Sequence, residues 1–316
     1  MTDAVKSAAA PSTKPTARII EGLCWALLLA AGIGVYFGGS IYVIGIAFGL
    51  CSSIALTQSW ALFSALTGYI SLGSVVFYGI GAYITVLMVG SFPLAVILAV
   101  AALSAGLFAA VVGWPVLRVR GPYFVILTFG LAELVKNLVM QNEARLGQFS
   151  RMLFVVPPLE TLYLLMLGCA IVATIVAVLV RRSRFGAGLL AIRENEEAAE
   201  TIGVPVTRLK IVAFTLSAII PGAVGGLAAL RTSYFEPSTV FDPSLSLAVL
   251  TMVLVGGGDD ARGPVIGSLL FMLLSELLWA RLPQLYLIVL GVTLIVFVLF
   301  IPRGVTSLLP ATGRRR

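Results

Sequence analysis

The sequence predicts an all-α, polytopic membrane protein of about ten transmembrane helices, with one short polar helix on the cytoplasmic side. Three observations predict it. Of 316 residues, 59% are hydrophobic and only 11% charged, against about a quarter charged in soluble domains. The apolar residues gather into long runs, many close to the roughly 20 residues that cross a bilayer core. The basic residues collect in alternate loops between those runs.

Residues 1–18 carry Lys6, Lys14 and Arg18 among Ala, Pro, Ser and Thr, the composition of a disordered tail. A basic start before an apolar run is also the pattern of a cleaved leader. Here the run at 22–37 is followed by Gly38-Gly39-Ser40 and another hydrophobic segment, without a small-x-small cleavage site. Further runs fall at 41–57, 61–89, 94–114, 122–140, 160–180, 211–230, 245–257, 264–280 and 284–301. With both termini cytoplasmic, 16 of the 21 basic residues lie on inner segments, and only Arg145, Arg151, Arg231 and Arg281 on outer ones. Lys136 lies inside a span. This is the positive-inside bias. It accounts for the net charge of +7 without a nucleic-acid partner. The expected organisation is a membrane domain over 19–302, a polar loop at 181–210, and a basic cytoplasmic tail at 303–316.

Two runs are irregular. The one at 61–89 is too long for a single crossing and contains Gly68, Gly73, Gly79 and Gly81, which predicts a broken or re-entrant helix. The run ending at Gly256-Gly257-Gly258 is correspondingly short. Paired interruptions mark a pathway in many transporters, which makes Gly68, Ser71 and Gly73 translocation-path candidates. Close backbone packing through small residues explains the same glycines equally well.

Several chemistries are excluded. The chain has no histidine, which removes His-based triads, metal sites and proton relays. Cys24, Cys51 and Cys169 lie in apolar runs without metal-ligand spacing. None of the four lysines follows a glycine, so no phosphate loop of the GxxxxGK type is present. The chain calls for no cofactor or metal of its own.

The 181–210 loop holds ten of the 35 charged residues. Its segment from Ala187 to Ile202 is rich in helix formers, with Gly203 placed to end the helix. Arg193 and Glu197, four apart, would pair on one face. Within the membrane, Glu133 and Lys136 lie one turn apart on one face. Such groups cost about 2.5–3.5 kcal/mol each when left alone. They read either as a polar path for a zwitterionic solute or as an ion pair locking helices. Glu276 lies near the outer end of its run, within reach of lipid headgroups.

Glu197-Ala198-Ala199, three further residues and Gly203 match the EAA-x-x-x-G signature of ABC importer membrane subunits. Four blocks extend the resemblance: TGYISLGSVVFYGIGAY at 67–83, RVRGPYFVILTFGLAEL at 118–134, SRFGAGLLAIRENEEAAETIGVPVTRLKIVAFTLSAIIPG at 183–222 and LVGGGDDARGPVIGSLL at 254–270. Together they resemble the LivM-type permease of branched-chain amino acid ABC importers. One departure is AFTL at 213–216, where the wider signature continues to Ile-x-Leu-Pro; the branched-chain group differs there too.

The resemblance implies a cytoplasmic coupling helix that docks on an ATPase, with Arg193, Glu194, Glu197, Ala198, Ala199 and Gly203 as its coupling residues. It implies a bacterial inner-membrane subunit that is not itself an enzyme. Two ATPase subunits would bind the ATP. A second, related permease chain would complete a heterodimer, and an extracytoplasmic binding protein would deliver substrate. Two alternatives stay open: the same architecture carrying urea, amides or small aromatic acids, and an ion-coupled secondary transporter using Glu133 and Lys136.

Overall fold

The computed structural model describes residues 34, 36, 40–147, 150–153, 156–281, 291–292 and 304–308. The runs at 22–37 and 284–301 and both tails lie outside the described residues, apart from the few positions just given. The described chain is helical almost throughout. Ten helices were expected. Among the described residues, six are long and apolar enough to cross a membrane: Ile41–Ala65, Leu94–Val116, Pro122–Arg145, Leu159–Arg182, Val206–Thr232 and Pro237–Gly256.

The first helix, α1 (Ile41–Trp60), starts on the side chain of Ser40 and runs into a π-helical turn at Ala61–Ala65. The chain then leaves the helix at Gly68, with φ +78°, and re-enters one only at α2 (Ser74–Met88). The long run at 61–89 is therefore broken, as its glycines predict. This break also lowers the number of spans, because the 15 residues of α2 rise only about 22 Å against a core of about 30 Å.

The remaining helices are α3 (Leu94–Val116), α4 (Pro122–Arg145) and α5 (Leu159–Arg182), then α6 (Arg184–Glu194) and α7 (Glu196–Thr201). They continue with α8 (Val206–Thr232), α9 (Pro237–Val240), α10 (Ser244–Gly256) and α11 (Arg262–Arg281). The chain also makes a two-residue strand pair not expected from the sequence, with β1 (Arg151–Met152) antiparallel to β2 (Tyr234–Phe235).

The centre of the molecule is α8, packed mainly on α2 and α3 and also on α1 and α5. Lipid tails are as apolar as leucine, so close contact rather than water exclusion holds such helices together. Glycine provides it: a β-carbon at Gly81 would stand 1.9 Å from the Gly222 carbonyl oxygen, and one at Gly225 2.0 Å from that of Tyr78. Buried Pro221 lies within α8. Having no N–H, it frees the Ser217 carbonyl one turn back, and the Ser59 hydroxyl on α1 donates to that carbonyl.

The second irregular run behaves differently from the first. At Gly256-Gly257-Gly258 the chain ends α10 and turns back into α11, and a β-carbon at Gly263 would meet the Gly257 carbonyl oxygen at 1.7 Å. These glycines serve packing. The Thr306 hydroxyl donates to the Gly256 carbonyl at 2.8 Å, so the start of the basic tail folds back onto this turn.

Candidate coupling site

The polar loop was expected to form one helix over 187–202. It forms two. Asn195 is extended (φ −158°, ψ 112°), ends α6, and caps α7 by accepting from Ala198 N at 3.0 Å. The cap outweighs the helix-forming residues on either side because the Asn195 side chain bonds a backbone donor left free at a helix start, which it cannot do from a helix interior. The Arg193–Glu197 pair is accordingly not made. Arg193 donates to Asp259 Oδ1 at 2.8 Å, and Glu197 instead lies 3.7 Å from Arg120.

Gly203 ends α7 as expected. With φ +87°, it donates to Glu200 O while Val204 donates to Ala199 O, the paired bonds of a Schellman cap. The two alanines of the signature part company. Ala199 is buried in the same apolar cluster as Ile192, Leu189 and Val206, whereas Ala198 is exposed, as are Glu194, Glu197 and Glu200. The surface offered outward is thus an acidic face with one alanine, and the buried alanine seats α7 on the membrane body.

That seat adjoins the break at 68–73. Outside a helix the backbone there needs other partners, and side chains supply them. Ser71 N donates to Ser64 Oγ at 3.3 Å, Leu72 N to Thr128 Oγ1 at 3.1 Å, and Gly73 N to Ser71 Oγ at 3.2 Å. Trp60 Nε1 donates to Ser71 O at 2.7 Å. Arg193 Nη1 reaches the Ala65 carbonyl at 3.0 Å, near the end of the broken helix. Ser71 and Gly73 therefore lie in one polar seam, and Gly68 at its start lies against the Arg193 stem of the loop.

Three residues that sequence reasoning passed over complete the site. Lys210, only 3% exposed at the start of α8, donates to Glu196 Oε1 at 2.8 Å, Tyr69 Oη at 3.2 Å and Leu117 O at 3.3 Å. The Tyr69 hydroxyl donates to the other Glu196 oxygen. Arg120 lies 3.3 Å from Glu196. Burial pushes the Glu196 carboxyl up, but Lys210, Tyr69 and Arg120 outweigh it and hold the group below the usual carboxylate range. Beside this cluster opens a groove of about 720 Å³, lined by Gly68, Tyr69, Arg120, Arg193, Asn195 and Glu197 among others.

Glu133 and Lys136 pair with each other at 2.8 Å on α4. Among the described residues no hydrogen bond joins them to the seam at 68–73. Glu276 accepts from the hydroxyl of Tyr42, which ties α11 to the start of α1. Both acidic groups thus have protein partners.

A chain of apolar crossing helices with a polar loop seated on a broken helix has the architecture of a polytopic membrane protein. The comparisons agree: residues 42–298 match the family model described as branched-chain amino acid transport system / permease component, and the chain belongs to that family. It is a multi-pass membrane protein. Among curated proteins it is similar to the high-affinity branched-chain amino acid transport system permease protein LivM of Escherichia coli (strain K12), 28% identical over 281 residues. The LivM of Salmonella typhimurium is 29% identical over the same length. Each alignment covers 78% of this chain, and the chain spans 65% of the length of these relatives. The L-arabinose ABC transporter permease protein AraH of Azospirillum brasilense is 38% identical over 79 residues, covering 25% of this chain and 23% of that protein. No solved structure gives a significant match.

Proposed function

We propose that the chain is the transmembrane permease subunit of a binding-protein-dependent ABC importer in the bacterial inner membrane. It moves branched-chain or related hydrophobic amino acids by alternating access, driven by two partner ATPases. A second, related permease chain pairs with it, and an extracytoplasmic binding protein supplies the cargo. The observation that carries this reading is α7: its acidic face is exposed, yet Ala199 and Glu196 root it in the membrane body. A helix free on one side and anchored on the other suits a docking element.

Similarity to LivM extends over most of the chain, whereas similarity to the arabinose permease covers a quarter of it. That difference favours amino acids over sugars. Ligand binding by the co-purifying binding protein tests the cargo: tight binding of L-leucine, L-isoleucine or L-valine is expected. Preference for arabinose, ribose, urea or an amide overturns the amino-acid assignment. Glu197→Arg tests the docking role. Its side chain is 85% exposed, so the variant is expected to fold normally and to lose ATPase association. Normal transport by that variant overturns the docking of α7.

A further inference from the structure

The Tyr69, Glu196 and Lys210 cluster joins three places different in kind, with Tyr69 127 positions before Glu196. Tyr69 belongs to the unwound stretch between α1 and α2. Glu196 opens the first turn of α7, and Lys210 lies in the first turns of α8. We propose that Tyr69, Glu196 and Lys210 are positioning residues that deliver movement of α7 to the helix break at 68–73. The inference rests on the reading of α7 as the docking element and extends it inward.

Relative bond strength gives the linkage its direction. The amides of Ser71, Leu72 and Gly73 are held by single neutral hydroxyls. The bonds from α7 run through the ionised Glu196 carboxylate, which accepts from Tyr69 and from Lys210, an ammonium with three acceptors within 3.3 Å. Charge-assisted bonds are roughly twice as strong as neutral ones. Displacing α7 therefore shifts the unwound segment before the linkage parts.

A second attachment runs parallel to the first. Arg193, at the end of α6, holds the Ala65 carbonyl, and its stem lies against Gly68, where an added β-carbon would stand 3.3 Å from Arg193 Cγ. Both loop helices thus grip residues 65–69. The Tyr69 ring also meets Phe124 edge-on at 5.2 Å, and Phe124 adjoins Phe63, which contacts Phe214 on α8 at 5.0 Å. Movement of Tyr69 is carried into α4 and α8 through rings as well as through backbone.

The test uses the complete complex of ATPases, both permeases and binding protein in proteoliposomes, with labelled L-leucine as probe. Tyr69→Phe removes one hydroxyl and keeps the ring on Phe124. It is expected to keep the wild-type melting temperature and ATPase association while leucine moved per ATP hydrolysed falls about fivefold or more, the lower end of usual coupling factors. Glu196→Gln retains an acceptor for Tyr69 and is expected to lose less than Glu196→Ala. The double variant Tyr69→Phe/Glu196→Ala is expected to match Glu196→Ala alone, because both changes cut one link. A wild-type transport ratio in Tyr69→Phe, or additive losses in the double variant, overturns the linkage. A wild-type complex that moves no leucine on addition of ATP overturns the cargo reading instead, which separates the two failures.

Discussion

Glu143 shows how this chain treats a charge near the membrane. It is 2% exposed on α4, and the Arg151 guanidinium clasps both its oxygens, at 2.8 and 2.9 Å. The Tyr83 hydroxyl donates to the same carboxylate at 2.8 Å. Because Arg151 is also a residue of β1, the ion pair fixes the strand pair to α2 and α4. Buried pairs add little net stability while intact, yet removing one partner strands a charge. Arg151→Leu is therefore expected to destabilise the fold by about 3–5 kcal/mol, read by thermal denaturation in detergent. Arg151→Leu combined with Glu143→Leu is expected to recover most of that loss. If Arg151→Leu melts like the parent, the pair is not holding this end of the molecule.

At the scale of elements, a helix break was legible where an apolar run is too long for one crossing and carries glycine, although Gly79 and Gly81 of that run lie inside α2. Gly68 and Gly73 announced the interruption between α1 and α2. Asn195 did not, because good helix formers flank it and its capping bond becomes visible only in three dimensions. The same difference separates found from missed site residues. The acidic and alanine residues of α7 form one short motif, whereas Tyr69 and Glu196 are 127 positions apart, beyond any local periodicity. The glycines of the run at 61–89 read equally as pathway or as packing, and Gly81 packs, with its added β-carbon 1.9 Å from the Gly222 carbonyl oxygen of α8. Gly222→Leu is expected to abolish recovery of folded protein, since a β-carbon there already stands 2.6 Å from that of Ala105. Gly130→Ala has nothing within 4 Å of its added carbon and is expected to purify at the parent level. Equal yields from the two, measured by fluorescence-detected size exclusion, would show that α2, α3 and α8 do not depend on that contact.

For the whole molecule, the two ends differ in charge. Arg118, Arg120, Arg181, Arg193, Arg208 and Lys210 stand at the end that carries α6 and α7, while Arg145, Arg151 and Arg231 stand at the other. The positive-inside rule predicts that the first end faces the cytoplasm, the side on which the proposed ATPases would find ATP. Sidedness can be read by labelling a variant whose Cys24, Cys51 and Cys169 are replaced by alanine. Ser91 and Thr207 are both exposed, at opposite ends. With a membrane-impermeant maleimide, Ser91→Cys is expected to react in intact spheroplasts and Thr207→Cys only after permeabilisation. The reverse pattern would turn α7 away from every cytoplasmic ATPase. The Tyr69–Glu196–Lys210 bonds would then remain as internal structure, but no nucleotide-driven motion could reach them.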